Sequence, residues 1–344
     1  MRVLYVSGTD GVHDRRMIDA WADHGVDVSA LVLDPAAPDV GLFATTAERF
    51  QPDVVHAGPV PTIAFVVAQA WSGPLIAMSW GFDLMADVEA DDAMRDRASA
   101  VLARADVVIV DNDAVYERAR SLGAADAAIV RFPWGIDHQR FRPEGGDLRA
   151  EFGIDGAATC IVSVRRHEAL YDVETLVRAF EGVRSTLREG VLLLAGGGSR
   201  THVLRAMVED AGASDAVIFL GELEGEQLAS LYRTADVYVS TSTVDGSSIS
   251  LLEAMASGAV PVVTDIPGNR QWVPEGVGVR FPVGDHEQLG AVLLELEADP
   301  ARRARMGEAA ARLAQEHADW RDGARRLRGA ADLAVARHAR RAVS

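Results

Sequence analysis

An α/β fold of two doubly wound parallel-sheet domains is what this sequence predicts. Three observations lead there. At 344 residues the chain is too long for one ordinary core of about 100–200 residues. Short β-rich runs alternate with helical ones along both halves. The alternation also breaks once, near Phe132-Pro133-Trp134-Gly135, and then restarts.

In the first half, Val3–Ser7 reads as a strand, Arg16–His24 as a helix ending at Gly25, and Val26–Leu33 as a second strand. Val54–His56, Leu75–Ser79 and Val107–Val110 follow as further strands. Strands separated by helical stretches predict a parallel sheet covered on both faces. The polar stretch from Asp137 to Gly156, with Pro143 and Gly145-Gly146, is the candidate linker. Strands then return at Ile161–Val164, Val191–Ala195, Val217–Leu220, Val237–Ser240 and Val260–Thr264. Helical runs at Val173–Arg184 and Val203–Ala211 lie between them, and an Ala/Arg-rich helical tail runs from about Ala301 to Ala342. The expected division is 1–150, 151–310 and a tail at 311–344 that packs back toward the N-terminal domain. Two such Rossmann-like domains, facing a central cleft, bring the carboxyl ends of both sheets to one crevice, where sheets of this kind bind ligands.

Composition narrows the function. A net charge of −17 argues against a general nucleic-acid or anionic-membrane binder. All 34 basic residues are arginine, so any phosphate clamp has to be built from Arg, His, hydroxyls and backbone amides. No stretch of about 18 residues is apolar and free of charge, so no integral membrane segment is expected. The start, Met1-Arg2-Val3-Leu4-Tyr5-Val6, is a short strand without the features of a signal peptide, and a cytoplasmic protein is the simplest expectation. Cys160, the single cysteine, sits in an apolar run and reads as a buried core thiol. The nine histidines are scattered, and no metal is expected.

Chemistry concentrates in Val237–Asn269. A strand empties into Ser242-Thr243-Val244-Asp245-Gly246-Ser247-Ser248, and a helix follows from about Ile249 to Ser257, stopped by Gly258. Ser247 or Ser248 is a natural N-cap, and the free amides of the first turn suit a diphosphate. Gly246 lets backbone approach a ligand. Asp245 before those amides and Glu253 within the helix can flank a nucleotide sugar, as acceptors for sugar and ribose hydroxyls. Taken alone, the same two residues also read as a loop acid and a solvated helix residue.

Asp245 and Glu253, with seven residues between them, lead into Ala254-Met255-Ala256-Ser257-Gly258 and Pro261-Val262-Val263. This segment resembles the E-x7-E region of glycosyltransferase family 4. The resemblance extends through Ser79-Trp80-Gly81-Phe82-Asp83, Pro133-Trp134-Gly135-Ile136-Asp137, Ala195-Gly196-Gly197-Gly198, Phe219-Leu220-Gly221 and Tyr232 with Ala235-Asp236-Val237. It implies the GT-B architecture and a retaining enzyme. By the resemblance, Glu253 holds the donor ribose and Asp245 holds hydroxyls of the transferred sugar. The amides of Ser248, Ile249 and Ser250 face sugar and diphosphate. Gly197 belongs to the donor site, and the backbone around Gly221–Leu223 meets the nucleobase. Gly8 and Gly11 form the glycine loop turned to the donor phosphates.

Three departures from the family pattern stand out. The first acid is Asp245 instead of Glu. By the resemblance the diphosphate-binding Arg falls on Arg166, but the Lys five residues later is Tyr171, so either Arg165 or His167 supplies the missing charge or Tyr171 itself donates a neutral hydrogen bond to the donor. Trp80 stands where the family often carries His. Trp80, Asp83, His56 and His13 are the candidates on the acceptor side.

The expected reaction is a metal-independent transfer of a hexose-type sugar from a UDP- or GDP-sugar to an unidentified hydroxyl acceptor: a small molecule, a glycan or a lipid-linked sugar. Arg166 and the helix amides spread charge on the leaving diphosphate, with Asp245 and Glu253 placing the donor. A dehydrogenase is disfavoured because Gly8 and Gly11 lack the G-x-G-x-x-G spacing. A non-catalytic module that binds a nucleotide sugar or a partner is the alternative. An epimerase or a phosphorylase finds no acidic constellation or lysine to support it.

Overall fold

The computed structural model describes residues 1–187 and 190–341, with Val12 described in its backbone only. Two compact units are present: Met1–Trp134 joined by the last helix, Trp320–Arg341, and Gly135–Asp319.

Six strands build the first sheet: β1 (Arg2–Ser7), β2 (Asp27–Val32), β3 (Val54–Ala57), β4 (Leu75–Met78), β5 (Val107–Val110) and β6 (Ile129–Arg131). Their spatial order is β2-β1-β3-β4-β5-β6 and every pair is parallel. Every residue of β3, β4 and β5 is buried, because helices cover both faces.

The second sheet comprises β7 (Cys160–Ser163), β8 (Val191–Ala195), β9 (Val217–Gly221), β10 (Val237–Ser240), β11 (Val260–Thr264) and β12 (Val279–Phe281). It is also parallel, in the order β12-β11-β10-β7-β8-β9. Counted from β7, this is the 3-2-1-4-5-6 order of dinucleotide-binding sheets. Strand order reverses between β7 and β10 here, and between β1 and β3 in the first sheet. Loops diverge at these points and leave a crevice outside the carboxyl ends of the strands.

β6 and β12 were not anticipated; at three residues on a sheet edge they are too short to show a period. The first helix starts at Val12, not Arg16, because the Asp14 carboxylate accepts from the Gly11 amide at 2.9 Å and caps the turn early. The tail is two helices, Pro300–His317 and Trp320–Arg341. They part where the Ala318 carbonyl accepts from the Ile136 amide at 2.8 Å instead of continuing the helix. Ala342, the expected end of the tail, lies outside the described residues.

The break between units falls at Trp134/Gly135. The polar stretch from 137 to 156 is tied into the second unit instead of linking the two. Leu148 N donates to Thr234 Oγ1 at 2.8 Å, Arg233 Nε donates to the Gly146 carbonyl at 2.7 Å, and Arg149 pairs with Asp236. Cys160 is buried, which pushes its thiol up to about 12. No helix among the described residues is long and apolar enough to cross a membrane.

Asp106 anchors the last helix onto the first unit. Fully buried, its carboxylate accepts from the Leu75 amide at 3.0 Å and meets His338 Nδ1 at 3.2 Å, with Arg104 and Arg341 each at 3.5 Å. Asp106→Ala strands the Leu75 donor and frees the end of the helix. A loss of about 2 kcal/mol of stability is expected, read as a lower urea midpoint, with earlier proteolysis of the C-terminal helix.

Candidate functional site

Apart from Gly8 and Gly11, which lie in the first unit, the residues expected to hold a donor lie in the second unit, most of them on loops that leave four adjacent strands, β9, β8, β7 and β10, at their carboxyl ends. Gly221 ends β9 and Leu223 follows it, Gly197 follows β8, Arg165 and Arg166 follow β7, and Asp245 to Ser248 follow β10. Backbone hydrogen bonds hold these loops side by side. Gly196 N donates to the Gly221 carbonyl at 2.6 Å, and His167 N donates to the Gly197 carbonyl at 3.0 Å.

The helix after β10 spans Ile249–Ala256, with Ser248 as its N-cap. The first turn of such a helix leaves backbone amides free, a ready-made seat for an anion. Arg165 approaches the same place. Its Nη2 lies 2.7 Å from Asp245 Oδ2, and its Nη1 donates to the Ser248 hydroxyl and, at 3.0 Å, to Ser250 Oγ. The Tyr171 ring lies 4.2 Å from the guanidinium carbon. Burial works against the charge of Arg165, but the facing Asp245 carboxylate and the phenols of Tyr238 and Tyr171 outweigh it and raise its pKa further. Arg166, the expected diphosphate ligand, is exposed on the same loop.

Glu253 is buried and not solvated, within hydrogen-bond range of the Tyr232 hydroxyl at 3.4 Å. Tyr232 is itself fully buried against Tyr238, whose hydroxyl meets Ser250 Oγ at 2.8 Å. Behind Asp245 the chain turns at Pro267–Arg270 and presses on its backbone. A Cβ at Gly268 would lie 2.4 Å from the Asp245 carbonyl. Trp272 Nε1 donates to Ser247 Oγ at 3.0 Å and steadies the same loop. Sequence reasoning missed Tyr232, Tyr238, Gly268 and Trp272 as parts of this site. A tyrosine on an otherwise aliphatic strand, as at Tyr238, was the available signal, since a buried phenol needs a partner for its hydroxyl. Among the described residues, no group of three or more His, Cys, Asp or Glu is placed to hold a metal.

In the first unit the glycine loop follows β1 at its switch point with β3. Asp14 organises it, accepting from Tyr5 Oη at 2.9 Å, Thr9 Oγ1 at 2.7 Å and Gly11 N. Gly8 is required by packing: a Cβ there would lie 2.7 Å from Pro35 Cγ. Of the four acceptor-side candidates, two are fully buried. His56 does not face a crevice; it lies inside β3 with no exposure, accepts from Trp21 Nε1 at 3.2 Å, and burial lowers its pKa to about 3. Asp83 is also fully buried. It accepts from Ser79 Oγ at 2.6 Å and from the amides of Val60, Trp80 and Leu84 at 2.9–3.0 Å, so it shapes the loop after β4. Burial raises its pKa to about 6. His13 and Trp80 do meet, at 5.9 Å between ring centroids, together with Trp134 at 5.7 and 5.5 Å respectively.

Two outcomes follow. The His56 pKa is depressed in the folded state, so the neutral ring contributes stability at pH 7 that is lost as pH falls from 6.5 toward about 3. Wild type should lose about 1.4 kcal/mol per pH unit through this window from that group, and His56→Gln should flatten the dependence in urea titrations. Gly268→Ala should displace the Asp245 loop; a drop in melting temperature together with lost nucleotide binding is expected, and unchanged binding would separate that turn from the site.

Residues 146–313 match the group 1 glycosyl transferases. Among curated proteins, the chain is 31% identical over 238 residues to the GDP-mannose-dependent alpha-(1-6)-phosphatidylinositol monomannoside mannosyltransferase of Mycolicibacterium smegmatis, covering 65% of this chain and 61% of that one. It is 33% identical over 191 residues to the D-inositol 3-phosphate glycosyltransferase of Actinosynnema mirum, covering 52% and 45%. The aligned region thus spans less than two thirds of either relative. Among solved structures, Anabaena HepE in complex with UDP superimposes with a TM-score of 0.80 at 18% identity, over 96% of this chain and 99% of that one. Sucrose-phosphate synthase from Thermosynechococcus elongatus gives 0.81 at 20%, over 95% and 97%. The two six-stranded parallel sheets are those of the GT-B fold, and residues 146–313 are similar to the group 1 glycosyl transferases.

Proposed function

We propose that this protein is a retaining glycosyltransferase that moves a hexose-type sugar from a nucleotide-diphosphate sugar to a hydroxyl acceptor. One observation carries the proposal. At the β7/β10 switch point, Arg165 ties Asp245 to Ser248 and Ser250 at the amino end of the helix Ile249–Ala256, and the same helix carries the buried Glu253. This combination suits a ligand with an anionic centre and hydroxyls on either side.

In this proposal Glu253 accepts from the donor ribose and Asp245 from hydroxyls of the sugar. The amides of Ser248, Ile249 and Ser250 take the diphosphate, with Arg166 at its outer side. Gly197 and the backbone of Gly221 and Leu223 border the nucleobase. As the bond between the anomeric carbon and the diphosphate oxygen lengthens, the ring gains oxocarbenium character and negative charge grows on the leaving group. The preorganised amides and guanidinium groups stabilise that charge. The acceptor oxygen forms the new bond on the same face, and its proton passes to a phosphate oxygen of the leaving diphosphate. The charges at the diphosphate come from the protein itself, so the transfer should proceed in EDTA.

Curated relatives bearing GDP-mannose in their names and the HepE structures with UDP and UDP-glucose make GDP- and UDP-sugars the donors to try first. The mannosyltransferase and the D-inositol 3-phosphate glycosyltransferase carry inositol-containing compounds in their names, which makes inositol phosphates and their glycosides the first acceptors to offer.

Calorimetric titration of UDP-, GDP-, ADP- and dTDP-sugars in EDTA is the test. Selective binding of one nucleotide, weakened about tenfold or more in Glu253→Ala, is the expected result. Transfer to an acceptor with the anomeric configuration kept should accompany it. Binding without turnover on any acceptor would favour a non-catalytic module, and no binding at all would overturn the donor site.

A further inference from the structure

An open cavity of about 490 Å³ lies in the second unit at the amino end of the edge strand β12, whereas the donor loops leave their strands at the carboxyl ends. Arg280 lines it from β12, and Arg302, Arg305 and Met306 line it from the helix Pro300–His317. The last three are spaced i, i+3 and i+4, on one helical face. Glu275 completes the charged lining, so three guanidinium groups meet one carboxylate in a protein of net charge −17. Neither the Arg305 nor the Glu275 side chain has an ion pair or hydrogen bond among the described residues. Gly278, also in the wall, packs on the Pro261 carbonyl with no room for a Cβ, which fixes the wall to the backbone of β11. The wall continues into the clamp behind Asp245. Arg280 donates from Nη1 to the Val273 carbonyl and from Nε to Asp265 Oδ1 at 3.0 Å. Asp265 also accepts from Arg270 Nε at 3.0 Å, and so closes the turn whose Gly268 presses on the Asp245 backbone. Val273 lines the cavity too, and its neighbour Trp272 donates to Ser247.

We propose that this cavity is a second binding site, for a phosphate ester of a hydroxylated small molecule, and that filling it weakens donor binding. Guanidinium forks match phosphate oxygens in pairs. The Glu275 carboxylate is an acceptor for hydroxyls, and the volume falls within the range of small-molecule sites. A phosphate beside Arg280 competes with Asp265 for the same guanidinium. The turn at Pro267–Arg270 then loses one of the two cations that hold Asp265, and Gly268 supports the Asp245 loop less firmly. By linkage, a bound nucleotide weakens the phosphate ester by the same factor. The site itself stands apart from the donor-site reading above, and only the coupling rests on it.

The test titrates the full chain calorimetrically with ribose 5-phosphate and inorganic phosphate, with melting temperatures as folding controls. Ribose 5-phosphate should bind wild type about tenfold tighter than inorganic phosphate. The double variant Arg302→Gln/Arg305→Gln should weaken it about tenfold or more, with the melting temperature kept because these side chains lie at the surface. Glu275→Ala should weaken ribose 5-phosphate and spare inorganic phosphate. Arg165→Gln, in the donor site, should leave both probes unchanged. Saturating ribose 5-phosphate should then weaken the nucleotide diphosphate that wild type binds about fivefold or more, and should not do so in the double variant. No binding of ribose 5-phosphate, equal affinity for inorganic phosphate, or binding that survives the double variant would each overturn the site. Binding lost in Arg165→Gln would place the probe in the donor site and overturn it too. An unshifted nucleotide affinity would overturn the coupling and leave the cavity standing. If wild type binds no nucleotide, the donor-site reading and the coupling fall together, and the response to the double variant still decides the cavity.

Discussion

Parallel strand pairing is the constraint on which the rest of each unit depends. Parallel neighbours cannot be joined by a tight turn, so the chain must cross over between them, here mostly through helices, and those helices bury both faces of the sheet. All six strands of a sheet then end on the same edge. Two switch points follow from strand order alone, β1/β3 in the first unit and β7/β10 in the second. The glycine loop organised by Asp14 lies at one, and the Arg165–Asp245 pair lies at the other. Residues 80 positions apart in the chain become partners because their strands are neighbours in the sheet.

The pair itself shows how an all-arginine protein places charge inside. Removing a guanidinium from water is expensive unless its donors are met. Here a carboxylate, two serine hydroxyls and a tyrosine face meet most of them. Asp245 is shorter than the glutamate usual at its position, and the arginine reaches across to it. Behind it, the close approach at Gly268 and the Trp272–Ser247 hydrogen bond hold the loop in register with the helix amino end. Polar groups are thus preorganised on backbone that is itself locked, a requirement for electrostatic catalysis.

The first unit uses buried carboxylates differently. Asp14, Asp83 and Asp106 each gather donors from separate segments: the glycine loop, the loop after β4, and the last helix. Each of the three is buried and hydrogen-bonded. Their carboxylates hold these segments in shape, so the donors around an acid beside a motif glycine or tryptophan have to be known before its role is read.

Much of the architecture was legible in the sequence. Interior strands such as Val107–Val110 and Val191–Ala195 were recognisable because a fully buried parallel strand is a short, unbroken apolar run. The helix bearing Glu253 was recognisable from its serine cap and its Gly258 stop. The edge strands β6 and β12, the break at Ala318 and the placement of 137–156 in the second unit were not, because contacts distant in sequence determine them. For the same reason local pattern could not tell Arg165 from Arg166, or an exposed His56 from a buried one. Adjacent residues on an extended chain point to opposite sides, and only packed neighbours decide which side is inside. Sequence by itself determined the periodicity, the caps and the order of chemical groups along the chain. Tertiary structure alone decided which of those groups share a crevice, because strand order and the burial of each side chain arise only when the sheet is assembled.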